Sequence, residues 1–206
     1  MITTIYLMRH SEPLKKANND LNNDSLQVRN EKNPLSVMGE KKAEVLSKQK
    51  EFQNIDSVFS SNYVRAISTA KYFSYVNNIS LNINENFGER KFGIDSWDEL
   101  PLNFEKNQIT DPNLKMPKGE CQIEVADRMH NALLDVLNIN RGNRIVIVSH
   151  ATAITFLFIK LGLYKNDCIS FNNKILIDKD FVWNAPEVFK LTFDEDKLID
   201  IKNIRY

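Results

Sequence analysis

Neither sign of charge is in excess in this chain: 27 basic side chains meet 27 acidic ones, for a formal net charge of +0. Without a global positive field, nothing favours binding to nucleic acid or to an anionic membrane surface. Any anion must be held by a few cations converging in a pocket. Long hydrophobic runs are also missing. No stretch reaches the roughly 18 apolar residues that a membrane span requires, and the N-terminus lacks the pattern of a targeting peptide. The expectation is a soluble, cytoplasmic protein. Cysteine is scarce: Cys121 and Cys168 stand far apart and in no metal-ligand spacing. They read as free thiols in a reducing compartment, with a single disulfide as the alternative. No helix carries two ligands in the His-Glu-x-x-His manner of zinc hydrolases. Internal repeats and interdomain linkers are absent as well. At 206 residues and 42% hydrophobic, the chain suits one domain over 1–206 with a small cap-like excursion at about 91–120.

Histidine is rare too, and two of the three occupy equivalent places. The apolar run Ile2-Thr3-Thr4-Ile5-Tyr6-Leu7-Met8 reads as a buried strand delivering Arg9-His10. Far along the chain, Arg144-Ile145-Val146-Ile147-Val148 is a second β-branched run, and it delivers Ser149-His150. A lone histidine after a strand is usually a loop residue. Two at matching strand ends point to a site on the C-terminal edge of a parallel sheet, where α/β folds place their ligands. The third, His130, lies in a stretch of helical periodicity and reads as an ordinary helix residue.

Strand and helix patterns alternate. Residues 15–33, rich in Asn, Asp and Lys, read as a polar loop beside the site. A helix opens after Ser36, its expected N-cap. Ile55–Phe59 reads as a strand, followed by a helix over 63–75 with Ser61 or Asn62 as cap, and Ile79–Ile83 as a third strand. Helices are expected over 121–137 and 152–161, the latter stopped by Gly162. The C-terminus reads as a hairpin turning at Asp194-Glu195-Asp196. Arg65 falls in the first turn of its helix, where the dipole prefers an anion. A shared anion bound by Arg65 and the helix amides would resolve that conflict.

Arg9, His10, Arg65 and His150 together would form a dianion site, since guanidinium forks match phosphate oxygens. A neutral imidazole can attack phosphorus and form a covalent intermediate while the cations neutralise the developing charge. A carboxylic acid must then protonate the leaving alkoxide and later activate water. Glu12, Glu85, Glu89 and Glu120 are the candidates.

These residues sit in a recognisable order of motifs. Leu7-Met8-Arg9-His10-Ser11-Glu12 resembles the Arg-His-Gly-Glu signature of the histidine phosphatase superfamily, the phosphoglycerate mutase-like family. Leu35-Ser36-Val37-Met38-Gly39, the run from Ser60 to Ala66 with Thr69-Ala70, Glu89-Arg90-Lys91-Phe92-Gly93, Pro117-Lys118-Gly119-Glu120 and Val148-Ser149-His150-Ala151 resemble further elements of that family. The resemblance implies a three-layer α/β/α sandwich with a mostly parallel sheet and an antiparallel edge strand or C-terminal hairpin. It implies His10 as the phosphorylated nucleophile and Arg9, Arg65 and His150 as the phosphoryl grip. Glu89 falls at the general acid and base, and Arg90 and Lys91 would hold a second anionic group. Glu85 is the alternative acid in a shifted register. Three departures stand out: Ser11 and Ala151 replace glycines, and Lys16 stands where the family often has Asn, with Asn18 as a possible substitute.

The function so implied is a metal-independent, cofactor-free phosphomonoesterase acting on a small phosphate ester. The alternatives are phosphoglycerate mutase-type transfer and, less well supported, a non-catalytic phospho-ligand-binding module. A metallohydrolase built on His10 and His150 ranks lowest, because the two arginines would repel a divalent cation. A bell-shaped pH dependence with a mildly acidic to neutral optimum is expected. Trp97 and Phe104 would either line the pocket or anchor the packing of the excursion.

Overall fold

The structure, a computed structural model, describes residues 1–15, 24–180 and 182–204. Lys16 and Asn18 lie outside the described residues. Four strands run parallel: β1 (Ile2–Arg9), β2 (Ser57–Ser60), β3 (Leu81–Ile83) and β4 (Arg144–Ser149). A C-terminal hairpin, β8 (Glu187–Asp194) and β9 (Lys197–Ile204), adds two antiparallel strands through β8 against β1. The six-stranded order is β3-β2-β4-β1-β8-β9.

Alternation along β1 divides the core. Ile5 and Leu7 face one side with Ile145 and Ile147, under α5 (Gln122–Ile139) and α6 (Ala151–Lys160). Tyr6 and Met8 face the other with Val146 and Val148, against Leu46 of α2 (Val37–Ser47) and Ala66, Ala70 and Phe73 of α3 (Val64–Asn77). Because successive residues of a strand point to opposite faces, a strand apolar at every position must be covered twice, and three layers result.

Most expected elements form with ends shifted by one to two residues. Ser36 caps α2, its Oγ accepting the Gly39 amide. At α3 the N-cap position belongs to Tyr63 rather than Ser61 or Asn62, while Ser61 Oγ accepts the Tyr63 amide. Within the expected polar loop, Leu26–Lys32 forms a helix (α1), with Ser25 Oγ accepting the Val28 amide. A three-stranded antiparallel sheet, β5 (Tyr164–Lys165), β6 (Cys168–Phe171) and β7 (Lys174–Ile177), packs Ile169, Leu176 and Ile177 onto the α5–α6 side. Its tight turns carry Asn166, Asp167, Asn172 and Asn173 at positive φ, and such Asn/Asp pairs are the sequence signal for two-residue hairpins.

The excursion contains a short helix, α4 (Phe104–Thr110). It is pinned where Gly93 and Gly119 cross. A Cβ on Gly119 would lie 2.4 Å from the Phe92 carbonyl oxygen, and one on Gly93 would lie 2.0 Å from the Gly119 nitrogen. Cys121 and Cys168 are both free thiols. Among the described residues, no helix is long and apolar enough to cross a membrane.

Candidate active site

Sheet register brings the two histidines level. Arg9 of β1 pairs with Ser149 of β4, and the His10 amide donates to the Ser149 carbonyl at 2.9 Å. Each histidine is therefore the first residue beyond its strand, and the rings stand 5.1 Å apart, inclined at 62°. β2 ends at the same level: Ser60 pairs with Val148, and the Ser61 amide donates to the Val148 carbonyl. The α3 that follows supplies Arg65. Its guanidinium bridges the pair, Nε donating to His10 Nε2 at 3.0 Å and Nη2 to His150 Nδ1 at 3.3 Å. Nη1 donates to the Asn30 carbonyl of α1 at 2.5 Å. All three of these acceptors are neutral.

The contacts assign the ring protons. His10 Nδ1 lies 2.7 Å from the Ser11 carbonyl oxygen, which can only accept, so Nδ1 carries the proton and Nε2 the lone pair. His150 Nδ1 accepts from Arg65, so its Nε2–H donates to Ser61 Oγ at 2.8 Å. Burial holds both imidazoles well below the ordinary histidine value. The Arg65 cation adds to this at His10, and His10 followed by Arg65 add to it at His150. Both rings are thus neutral at physiological pH. Burial also disfavours the charged forms of Arg9 and Arg65, with Glu89 the leading opposing influence on each.

Arg9, the last residue of β1, has its Nη1 donating to the carbonyls of Trp183 (2.9 Å) and Asn184 (3.2 Å). Its Nε is buried without a hydrogen-bond partner among the described residues. Glu89 reaches the start of α6: one carboxylate oxygen accepts the Ala153 amide at 3.0 Å and the Arg90 amide at 2.9 Å, the other the Thr152 amide at 3.4 Å. The remaining acid candidates are committed elsewhere or exposed. Glu12 bonds Lys42 and Ser36, Glu120 bonds Arg128, and Glu85 is exposed in a 3₁₀ turn. Among the described residues, no group of three or more His, Cys, Asp or Glu is arranged to hold a metal ion.

Arg90 is not brought to this cluster. It is fully buried, its guanidinium donating to Gln108 and Glu105 and lying over the rings of Phe92 (4.1 Å) and Phe104 (5.5 Å). In that position it joins the two arms of the excursion and is withdrawn from solvent. Phe104 is buried and serves the packing of the excursion, whereas Trp97 meets the Phe92 ring edge-on but is 56% exposed. Lys91 is exposed, and its amide donates to Glu120. Neither Ser11 nor Ala151 has a positive φ, so their side chains bring no backbone strain. Instead Ser11 adds bonds: its amide donates to Thr69 Oγ1 and its hydroxyl to the Gly39 carbonyl.

Several contributors escaped the sequence reading. Ser61 and Tyr63 contact His150, the latter with ring centroids 4.6 Å apart. The Asn30 carbonyl and the carbonyls of Trp183 and Asn184 hold the two arginines. Ser61 lies inside the Ser-Ser motif and was within reach of that reading. Backbone carbonyls leave no trace in side-chain identity.

Comparison with known proteins follows the same lines. Residues 5–167 match the family model described as histidine phosphatase superfamily (branch 1). The chain is 28% identical over 158 residues to a probable phosphoglycerate mutase (GpmB) from Escherichia fergusonii, covering 73% of this chain and 70% of that protein. Its fold is similar to that of a mycobacterial glucosyl-3-phosphoglycerate phosphatase (TM-score 0.68, 15% identity, 98% of this chain and 97% of the other). It is also similar to a mutant phosphoserine phosphatase from Entamoeba histolytica in complex with phosphoserine (TM-score 0.66, 19% identity, 97% and 96%). The relatives' names divide between mutase and phosphatase, both of them phosphoryl-transfer activities. With the model match spanning most of its length and its two histidines level at adjacent strand ends, the chain belongs to the histidine phosphatase superfamily.

Proposed function

We propose that this protein is a phosphomonoesterase that works through a phosphohistidine at His10, without metal, on a small phosphorylated metabolite. The observation that carries the reading is the bond between His10 Nδ1–H and the Ser11 carbonyl. It leaves the Nε2 lone pair facing the Arg65–His150 side, the nitrogen a phosphoryl group would meet. The dianion takes over the donors of Arg65 and Arg9, and Nε2 attacks phosphorus as the ester P–O bond breaks. Glu89, in its acid form, gives its proton to the departing alkoxide. Water then attacks the phosphohistidine, Glu89 takes up its proton, and the P–N bond returns its electron pair to Nε2. The sum is ester plus water to alcohol plus inorganic phosphate. Two guanidiniums beside the imidazoles repel a divalent cation, which supports the metal-free form of the reading.

The test is phosphate release from p-nitrophenyl phosphate in the presence of EDTA, with trapping of an acid-labile, alkali-stable phosphoenzyme. Both signals are expected in the native protein and absent in His10→Ala. Binding of phosphate without turnover would instead assign a phospho-ligand-binding module. The identity shared with the probable phosphoglycerate mutase favours a second reading, in which the phosphoryl group returns to the substrate. Incubation with 3-phosphoglycerate separates the two: phosphate appears for the hydrolase, and 2-phosphoglycerate without phosphate for the mutase.

A further inference from the structure

Arg128 of α5 has every donor of its guanidinium occupied. Nε and Nη2 grip the two oxygens of Glu120 at 2.8 and 2.9 Å. Nη1 donates to the carbonyls of Asn86 (2.8 Å) and Gly88 (2.9 Å), and Nη2 also donates to that of Glu89 (3.2 Å). Glu120 in turn accepts the Lys91 amide at 2.9 Å. The ion pair therefore clasps the backbone on both sides of one residue, Glu89. Both side chains are largely withdrawn from water, at 18% and 17% exposure, where charge-assisted bonds are stronger than at the surface. The far end of Glu89 is caught by the α6 amides next to His150.

We propose that Arg128, locked by Glu120, is a positioning residue that holds the 86–91 backbone so that the Glu89 carboxylate is aimed at the histidine pair. This inference rests on the reading of Glu89 as the proton donor. Five donors in a fixed planar fork are needed to reach three carbonyls and one carboxylate. A lysine ammonium has only three donors and no fork. The segment has an independent anchor, Ser149 Oγ donating to the Phe87 carbonyl at 2.7 Å. Loss of the clasp should therefore displace Glu89 without unravelling the fold.

A purely structural tie and a positioning role differ in one readout, the dependence on the leaving group. Aryl phosphates of rising leaving-group pKa, ending with an alkyl phosphate, are compared by kcat/KM in the native protein, Glu89→Gln, Arg128→Lys and Glu120→Gln. Poor leaving groups need the acid, and p-nitrophenolate hardly does. Glu89→Gln is expected to slow the alkyl ester about a hundredfold more than the nitrophenyl ester. Arg128→Lys should reproduce at least a tenfold differential with KM little changed, and Glu120→Gln a smaller one of the same sign. If Glu89→Gln separates the substrates but neither clasp variant does, the positioning role is overturned and the acid assignment stands. If Glu89→Gln itself fails to separate them, both fall. Should Arg128→Lys not fold, Glu120→Gln decides alone.

Discussion

The Nε–H of Arg65 lies 3.0 Å from Nε2 of His10, so one guanidinium rests on the lone pair assigned to attack phosphorus. A nitrogen cannot both accept from Arg65 and bond to phosphorus. In the proposed reaction the guanidinium passes its donors to the phosphoryl oxygens as the ester enters. Arg65→Lys keeps a charge but loses the fork that spans both imidazoles. We expect kcat/KM for p-nitrophenyl phosphate to fall about a hundredfold or more, with the fold intact by circular dichroism. A loss below threefold would remove Arg65 from the phosphoryl grip.

Ser61 accepts the Nε2–H of His150 at 2.8 Å. In Ser61→Ala this buried donor loses its acceptor, which costs about 1–3 kcal/mol. Part of that loss should appear as a drop of about tenfold in kcat, since ring orientation is set by this bond. Steady-state kinetics and urea denaturation measure the two parts. Unchanged values in both would show that the bond does not orient the ring.

The two buried imidazoles give stability a sign against pH. Both are held well below the ordinary histidine value in the folded protein. Above pH ~6.5 both states are neutral and no dependence arises. Below it the unfolded chain binds protons that the folded chain cannot, so stability is lost as pH falls. The slope approaches about 1.4 kcal/mol per pH unit for each histidine, or about 2.7 for the pair. Urea midpoints between pH 7.5 and 5 should show the decline, and His10→Ala should remove about half of the slope in this window. A flat profile in the native protein would contradict the burial of both rings.

Arg90 tests the difference between adjacency in sequence and in space. Its guanidinium joins Gln108, Glu105 and the faces of Phe92 and Phe104. Arg90→Met should therefore destabilise the protein by about 2–3 kcal/mol, from a lost charge-assisted bond and a desolvated cation–π contact. KM for a phosphate ester should stay within about threefold, because no substrate contact is removed. A large rise in KM with unchanged thermal stability would return Arg90 to the anion site.

Much of the fold and the core of the site were legible because their signals are local. β1 and β4 each carry a continuous apolar run, Ile5–Met8 and Ile145–Val148, which marks strands buried on both faces, and each is followed at once by a histidine. Helix α2 was announced by Ser36. The short helix α1 was not. Seven polar-rich residues form no stable helix by propensity alone. Tertiary bonds settle it: Gln27 Nε2 donates to the Tyr63 hydroxyl and Asn30 accepts from Arg65. The sheet at Tyr164–Ile177 is marked only by the Asn-Asp and Asn-Asn pairs of its turns, a short signal beside the longer periodic patterns.

The site divides along the same line. Arg9, His10, Arg65 and His150 could be gathered from the chain because strand ends and a helix start fix them within a few bonds of regular structure. The directions of Glu89 and Arg90 could not, since neighbours in an irregular segment point where packing sends them: Glu89 to the α6 amides, Arg90 into the excursion. Nor could the partner of Arg128. Spacing alone offers Glu124, four residues earlier on the same helix, yet Glu124 bonds Lys115 and the Cys121 amide while Arg128 takes Glu120. Sequence alone determined which residues are candidates for the chemistry and which elements deliver them. Only the tertiary structure decided which nitrogen of His10 holds the lone pair and where the Glu89 carboxylate is held, because those depend on carbonyls and amides that every residue possesses alike.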